Sequence, residues 1–179
     1  MGFSITISAS IVFIALLIAF VTLSGAFLST LSSLTYAINA RSSLDYKHLS
    51  SSVKIDNAFL NSSTTLIFNV TNTGSVKIWD FEHCNVIVSY LGNNTLSNTT
   101  IKVICSLNYT SSSPGPGEWH VSQIFDDLKD PGIINSGETA MIVANLTYQV
   151  IYNETFTVVF STSHGATYEF SFITSEGAG

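Results

Sequence analysis

The chain has 179 residues, 12 acidic and 6 basic, with 10% charged against 46% hydrophobic. A soluble domain commonly carries about a quarter charged residues, and phosphate binding needs clustered Lys and Arg. The composition therefore excludes a nucleic-acid partner and argues against an ordinary soluble enzyme. Polarity comes instead from 27 Ser, 19 Thr and 13 Asn. Hydroxyls and amides keep their hydration below about pH 4, where carboxylates lose charge, so such a surface suits an acidic exterior.

Residues 1–40 contain no Lys, Arg, Asp or Glu, and the first charged side chain is Arg41. Ala9 to Leu28 is an apolar run interrupted only by Ser10, Thr22, Ser24 and Gly25. About 20 such residues at ~1.5 Å each match a ~30 Å hydrocarbon core, which predicts one transmembrane helix. Met1–Ser4 lacks the basic region of a secretory signal, so an uncleaved anchor is expected. Phe13, Phe20, Phe27 and Leu34 recur every seven residues. Leu17, Leu31 and Ile38 form a second track, broken by Ser24. Spacings of three and four are those of a helix that packs along another, and they carry the predicted helix to about Ala40. Residues 41–50 read as a polar junction and 51–179 as one domain with its own core.

Arg41, Lys47 and Lys54 follow the span, and the positive-inside rule alone would place the domain inside. Seven N-x-S/T sequons, at Asn61, Asn69, Asn93, Asn98, Asn108, Asn145 and Asn153, argue for the opposite face as glycosylation candidates. The reading is a single-pass membrane protein with its C-terminal domain outside.

Beyond Ser50, short runs rich in Val, Ile, Phe, Tyr and Thr alternate with Gly, Asn and Ser clusters every 8–12 residues, as in an all-β sandwich. Expected strands are 52–60, 64–71, 76–79, 85–91, 99–108, 139–146, 154–162 and 167–173. Leu66, Phe68 and Val70 share one face, and Tyr168, Phe170 and Phe172 another. His164-Gly165 reads as a hairpin turn. A hairpin around Gly92–Ser97 would bring Cys84 and Cys105 onto adjacent strands, where a disulfide and two buried thiols are both open readings. The stretch from Ser111 to Gly117 (SSSPGPG) cannot continue a strand. It reads as an exposed loop, with Trp119 behind it as the expected partner contact.

The acid–base and metal candidates are Glu82, His83, Glu118, His120, Asp126 and Asp127. They show no ligand spacing, and no nucleophile, phosphate or dinucleotide motif is present. His83 with Glu82 reads as a surface pair. No enzyme activity, metal or cofactor is expected.

The opening M-G-F-S-I-T-I-S-A-S-I-V-F-I-A-L-L-I-A-F resembles that of the archaeal flagellar (archaellum) accessory proteins of the F type. Phe68–Asp80 (F-N-V-T-N-T-G-S-V-K-I-W-D) is similar to their strand–N-T-G–strand element. Asn135–Glu138 before 139–146 is similar to their Gly-Glu lead into a late strand. The G type shares the architecture. The resemblance implies an immunoglobulin-like β-sandwich beneath the surface layer, anchored by the helix and acting as a stator that holds the motor against torque. It also implies the surface-layer protein and a sister stator chain as partners, in a homo- or hetero-oligomer. A pilin- or archaellin-like filament subunit is the alternative. A membrane-anchored solute-binding protein, with Trp79 or Trp119 in an aromatic cleft, is a third reading.

Overall fold

The computed structural model describes residues 2–94 and 99–175, with side chains from Ile7 onward. The chain forms two compact units, Met1–Tyr46 and Lys47–Gly179. Helix α1 runs Gly2–Ser50, so its last turn belongs to the second unit. From Ile7 it is long and apolar enough to cross a membrane, and none of its apolar stretch is buried by protein. The hydroxyls fold back onto their own helix: Thr22 Oγ1 donates to the Ile18 carbonyl at 3.0 Å and Thr30 Oγ1 to Ala26 at 2.9 Å. This spares the apolar surroundings an unpaired donor.

The helix does not stop at Ala40. Arg41, Leu44, Lys47 and Leu49 are good helix formers, no Gly or Pro lies among residues 41–50, and Lys47 and His48 in the last turn suit the negative end of the dipole. Residues 41–50 are polar, yet helical throughout.

The second unit holds nine strands among its described residues: β1 (Val53–Ser62), β2 (Thr65–Asn72), β3 (Asn85–Asn94), β4 (Thr99–Tyr109), β5 (Glu118–Phe125), β6 (Thr139–Asn145), β7 (Gln149–Val150), β8 (Thr155–Ser161) and β9 (Thr167–Ile173). They run in the order β1-β2-β6-β5-β4-β3-β8-β9, with β7 on β3. All pairs are antiparallel except β4 with β5, which meet in parallel only at Asn108–Glu118 and Tyr109–Trp119. Two four-stranded halves are thus hinged at one short join, and β1 at one end of the order lies beside β9 at the other. This is the expected all-β, immunoglobulin-like sandwich after a helix.

Alternation along the strands builds the core. Leu66, Phe68 and Val70 on β2, Val86 and Val88 on β3, and Phe156, Val158 and Phe160 on β8 are all fully buried. In β1 the phase changes: Val53 and Ile55 point inward, then Ala58 and Leu60. The register shifts between Ile55 and Asn57. The extra residue, Asp56, is a bulge that restores the apolar face, and its carboxylate accepts from Thr71 Oγ1 and pairs with Lys54 Nζ at 2.8 Å.

Three expectations are corrected. Residues 76–79 form no strand; Ile78 makes only an isolated bridge to Ile134. Glu118–Phe125, absent from the expected strands, is a strand paired along β6. The β3–β4 hairpin has a different register: Val88 faces Cys105 and Val86 faces Leu107. Cys84 therefore lies four residues away along the strand direction, about 13 Å, where a disulfide needs Cα atoms within about 4.4–6.8 Å. Both cysteines are free. Burial pushes the Cys84 thiol up to about 11 and raises that of Cys105, so both stay protonated and unreactive at neutral pH. Alkylation of native protein at pH 8 should be slow and should become complete on unfolding. A Cys84–Cys105 peptide in a non-reducing digest would refute this register.

Candidate functional site

The chain comes into the domain at a joint held by backbone and side-chain hydrogen bonds. Asn72 closes β2 and is fully buried. Its Nδ2 donates to the carbonyls of Val76 at 2.9 Å and Ile134 at 3.0 Å, and its Oδ1 accepts from Gly74 N at 3.1 Å. The turn it shapes turns three amides toward the incoming chain. Thr73 N and Gly74 N donate to the Ser52 carbonyl at 3.0 and 2.9 Å, and Ser75 N donates to the Ser50 carbonyl at 2.9 Å. The last orphan carbonyl of α1 thus finds a donor from the domain rather than from its own C-cap. A Cβ on Gly74 would stand 2.5 Å from Ser52 N and 2.6 Å from Ser50 O. Only glycine allows two backbones to approach so closely. Beside this joint, a cleft of about 420 Å³ has a mixed lining, with Val53 and Ala166 beside His48, Ser51, Ser52, Lys54, Thr73, Thr167 and Tyr168.

Trp119 does not face outward. It is 0% exposed on β5, with Tyr109 edge-on at 5.0 Å and Phe160 at 6.1 Å. Pairing to β6 and to the end of β4 turns it into the core, and its Nε1 has no hydrogen-bond partner. The exposed tryptophan is Trp79, at 62%. Neither indole lines the cleft at the joint.

The acid–base candidates are scattered, and no cluster able to hold a metal exists among the described residues. His83 Nδ1 pairs with Asp80 at 2.8 Å, not with Glu82. His120 Nδ1 meets the Ser112 carbonyl at 2.8 Å. Glu118 accepts from Gly115 N and Asp127 from Gly132 N, so both serve loop geometry. Of the sequon asparagines, Asn98 lies outside the described residues. Asn61, Asn108 and Asn153 are exposed, and Asn69, Asn93 and Asn145 are half-buried.

The few carboxylates with shifted titration lie on the surface. Hydrogen bonds from Lys54 and Thr71 hold Asp56 below the usual carboxylate range, and the Lys77 ammonium does the same for Asp130. A lowered folded-state pKa contributes stability above the unfolded value, and that contribution is lost as pH falls through the folded one. The melting temperature should therefore stay nearly flat from neutral pH to about pH 4 and decline only below it. A steep loss between pH 7 and pH 5 in a circular-dichroism melt would contradict this.

Residues 2–172 match the archaeal-type flagellin family. The chain belongs to that family. Solved structures share its fold at low identity. The archaellum periplasmic stator complex of FlaF and FlaG from Sulfolobus acidocaldarius matches at 22% identity and TM-score 0.50, over 67% of this chain and 87% of that one. FlaG alone from the same organism matches at 20% and 0.50, over 68% and 99%. The archaeal flagellum of Methanospirillum hungatei matches at 17% and 0.59, over 96% and 94%. No curated protein matches the chain in sequence. These likenesses agree with the archaellum resemblance carried by M-G-F-S and the N-T-G element. Archaeal-type flagellins are structural parts of a motility machine rather than catalysts.

Proposed function

We propose that this archaeal-type flagellin is a membrane-anchored stator component of the archaellum. Helix α1 spans the membrane once, the sandwich lies outside beneath the surface layer, and the domain couples the motor to that layer and to a sister stator chain. The observation that carries this reading is a helix able to cross a membrane and joined to a sandwich, in a chain that covers 87% and 99% of the two stator chains. A rotating filament exerts an opposite torque on the cell, so a stationary part must connect membrane and envelope. The glycine-locked joint at Ser50–Ser52 holds the incoming chain by backbone hydrogen bonds, which suits such a load. Glycans on exposed sequons such as Asn61, Asn108 and Asn153 would add shielding.

The test is retention of isolated surface-layer protein by the detergent-solubilised chain between about pH 3 and 7. With 10% charged residues, binding should change less than about threefold between low and physiological salt, because screening acts on charges. No retention at any pH in that range removes the anchoring role.

A filament subunit is the second reading. It is favoured by the match to the flagellum of Methanospirillum hungatei, which includes the helix and covers 96% of this chain. Shearing cells decides between them. A stator stays with the membranes, whereas a subunit leaves with the filaments and shows a processed N-terminus.

A further inference from the structure

The cleft beside the joint holds hydrogen-bond donors that the fold leaves unused. Four segments build it: His48 at the end of α1, Ser51–Lys54 leading into β1, Thr73 in the turn after β2, and Ala166–Tyr168 in the β8–β9 hairpin. The imidazole of His48 rests on the hairpin turn, since a Cβ on Gly165 would stand 3.1 Å from its Cδ2 and 3.2 Å from its Nε2. Neither that imidazole nor the Tyr168 hydroxyl has a hydrogen-bond partner among the described residues. Tyr168 lies close enough to Lys54 for its phenol to act on the ammonium charge. Lys54 Nζ donates one N–H to Asp56 at 2.8 Å and keeps two. Ser52 Oγ accepts from Thr73 Oγ1 at 2.8 Å, which leaves its own proton to give. The described lining includes no carboxylate, although the chain has 12 acidic residues against 6 basic ones. The Asp56 carboxylate is not part of it and already accepts from Lys54 and Thr71.

We propose that this cleft binds an acidic sugar, a ring whose carboxylate, sulfate or phosphate group sits against Lys54 and Tyr168 and whose hydroxyls meet His48, Ser52 and Thr73. Unused donors beside an ammonium, with no carboxylate in the lining, call for an oxyanion, which accepts the stronger charge-assisted bonds. A volume of about 420 Å³ is that of a small-molecule site and far exceeds a lone inorganic ion. Val53 and Ala166 in the same lining give the C–H face of a ring an apolar surface to rest on. The site is shaped before the ligand comes. Backbone bonds from the 73–75 turn fix Ser50 and Ser52, and Ser51 Oγ meets Thr162 Oγ1 of the hairpin at 3.4 Å, so binding has little left to order. The inference goes beyond the stator reading and does not depend on it.

The experiment follows glucuronate by saturation-transfer NMR on the full-length chain in phosphatidylcholine nanodiscs, with glucose and inorganic phosphate as competitors. Glucuronate should bind saturably and glucose about tenfold more weakly, because it offers no charge-assisted bond. Inorganic phosphate should displace glucuronate only in large excess. Tyr168→Phe, which keeps the ring, should weaken glucuronate about fivefold, and Lys54→Gln about tenfold. If Lys54→Gln lowers the circular-dichroism melt, Tyr168→Phe decides alone. Competition by surface-layer glycans or by a glucuronosyl lipid in the nanodisc tells an envelope sugar from a lipid headgroup. Four results overturn the proposal: no saturable binding, equal affinity for glucose, equal potency of inorganic phosphate, and unchanged binding by Tyr168→Phe. Failure to retain surface-layer protein, with glucuronate binding intact, falls on the stator reading and leaves the cleft standing.

Discussion

Gly74→Ala should lower the melting temperature of the domain by about 10 °C, from a loss of roughly 3 kcal/mol. The added methyl meets backbone at 2.5 and 2.6 Å on Ser52 N and Ser50 O, and no rotamer change can move a backbone atom aside. The 73–75 turn must withdraw, which loosens three amide–carbonyl bonds to Ser50 and Ser52, each contributing about 0.5–1.5 kcal/mol. Far-UV circular dichroism of the full chain, followed through the β signal, reads the shift. Gly132→Ala is the comparison, because a Cβ there meets nothing within 4 Å although its φ is +83°. A Gly74→Ala melt as mild as that of Gly132→Ala would show that the joint is not closely packed.

Trp119→Ala should be the most damaging single truncation, about 3–5 kcal/mol, because it empties a fully enclosed site between Tyr109 and Phe160. Trp79→Ala, on the exposed loop, should stay within about 0.5 kcal/mol. Trp119→Phe should lose less than half as much as Trp119→Ala, since the indole N–H that leaves has no partner and an unpaired buried donor is itself destabilising by ~1–3 kcal/mol. Chemical unfolding read by tryptophan emission separates the cases, with the blue-shifted native signal coming from Trp119. Equal stability of Trp119→Ala and Trp79→Ala would mean that β5 does not pack as described.

These residues mark the boundary of what the sequence shows. The apolar helix is legible because a charge-free stretch longer than a bilayer is thick is a local property of consecutive side chains. The strands around Leu66–Val70 and Tyr168–Phe172 are legible because a two-residue period reports one buried face whatever partner covers it. The family resemblance reached the architecture through the opening residues and the N-T-G element. The His164-Gly165 turn holds as well, with Gly165 at φ +85° and Thr162 N bonded to the Ala166 carbonyl at 2.8 Å.

What the sequence did not determine is which residues become neighbours across the fold. Trp119 follows a Pro-Gly loop and reads as exposed, but β6 lies along β5 and turns the indole inward. A hairpin around Gly92–Ser97 reads as bringing Cys84 and Cys105 onto adjacent strands, but the pairing of Val88 with Cys105 sets them four residues apart. Gly74 reads as an ordinary turn glycine until Ser50–Ser52, more than 20 residues earlier in the chain, is found against it. Residues 41–50 look like a linker by polarity, yet they continue the helix, because only a backbone break could stop it and none is present. Periodicity and composition act through each residue's own backbone and are written locally. Register, close approach and the facing of an isolated aromatic depend on a partner strand whose position only the assembled sandwich supplies.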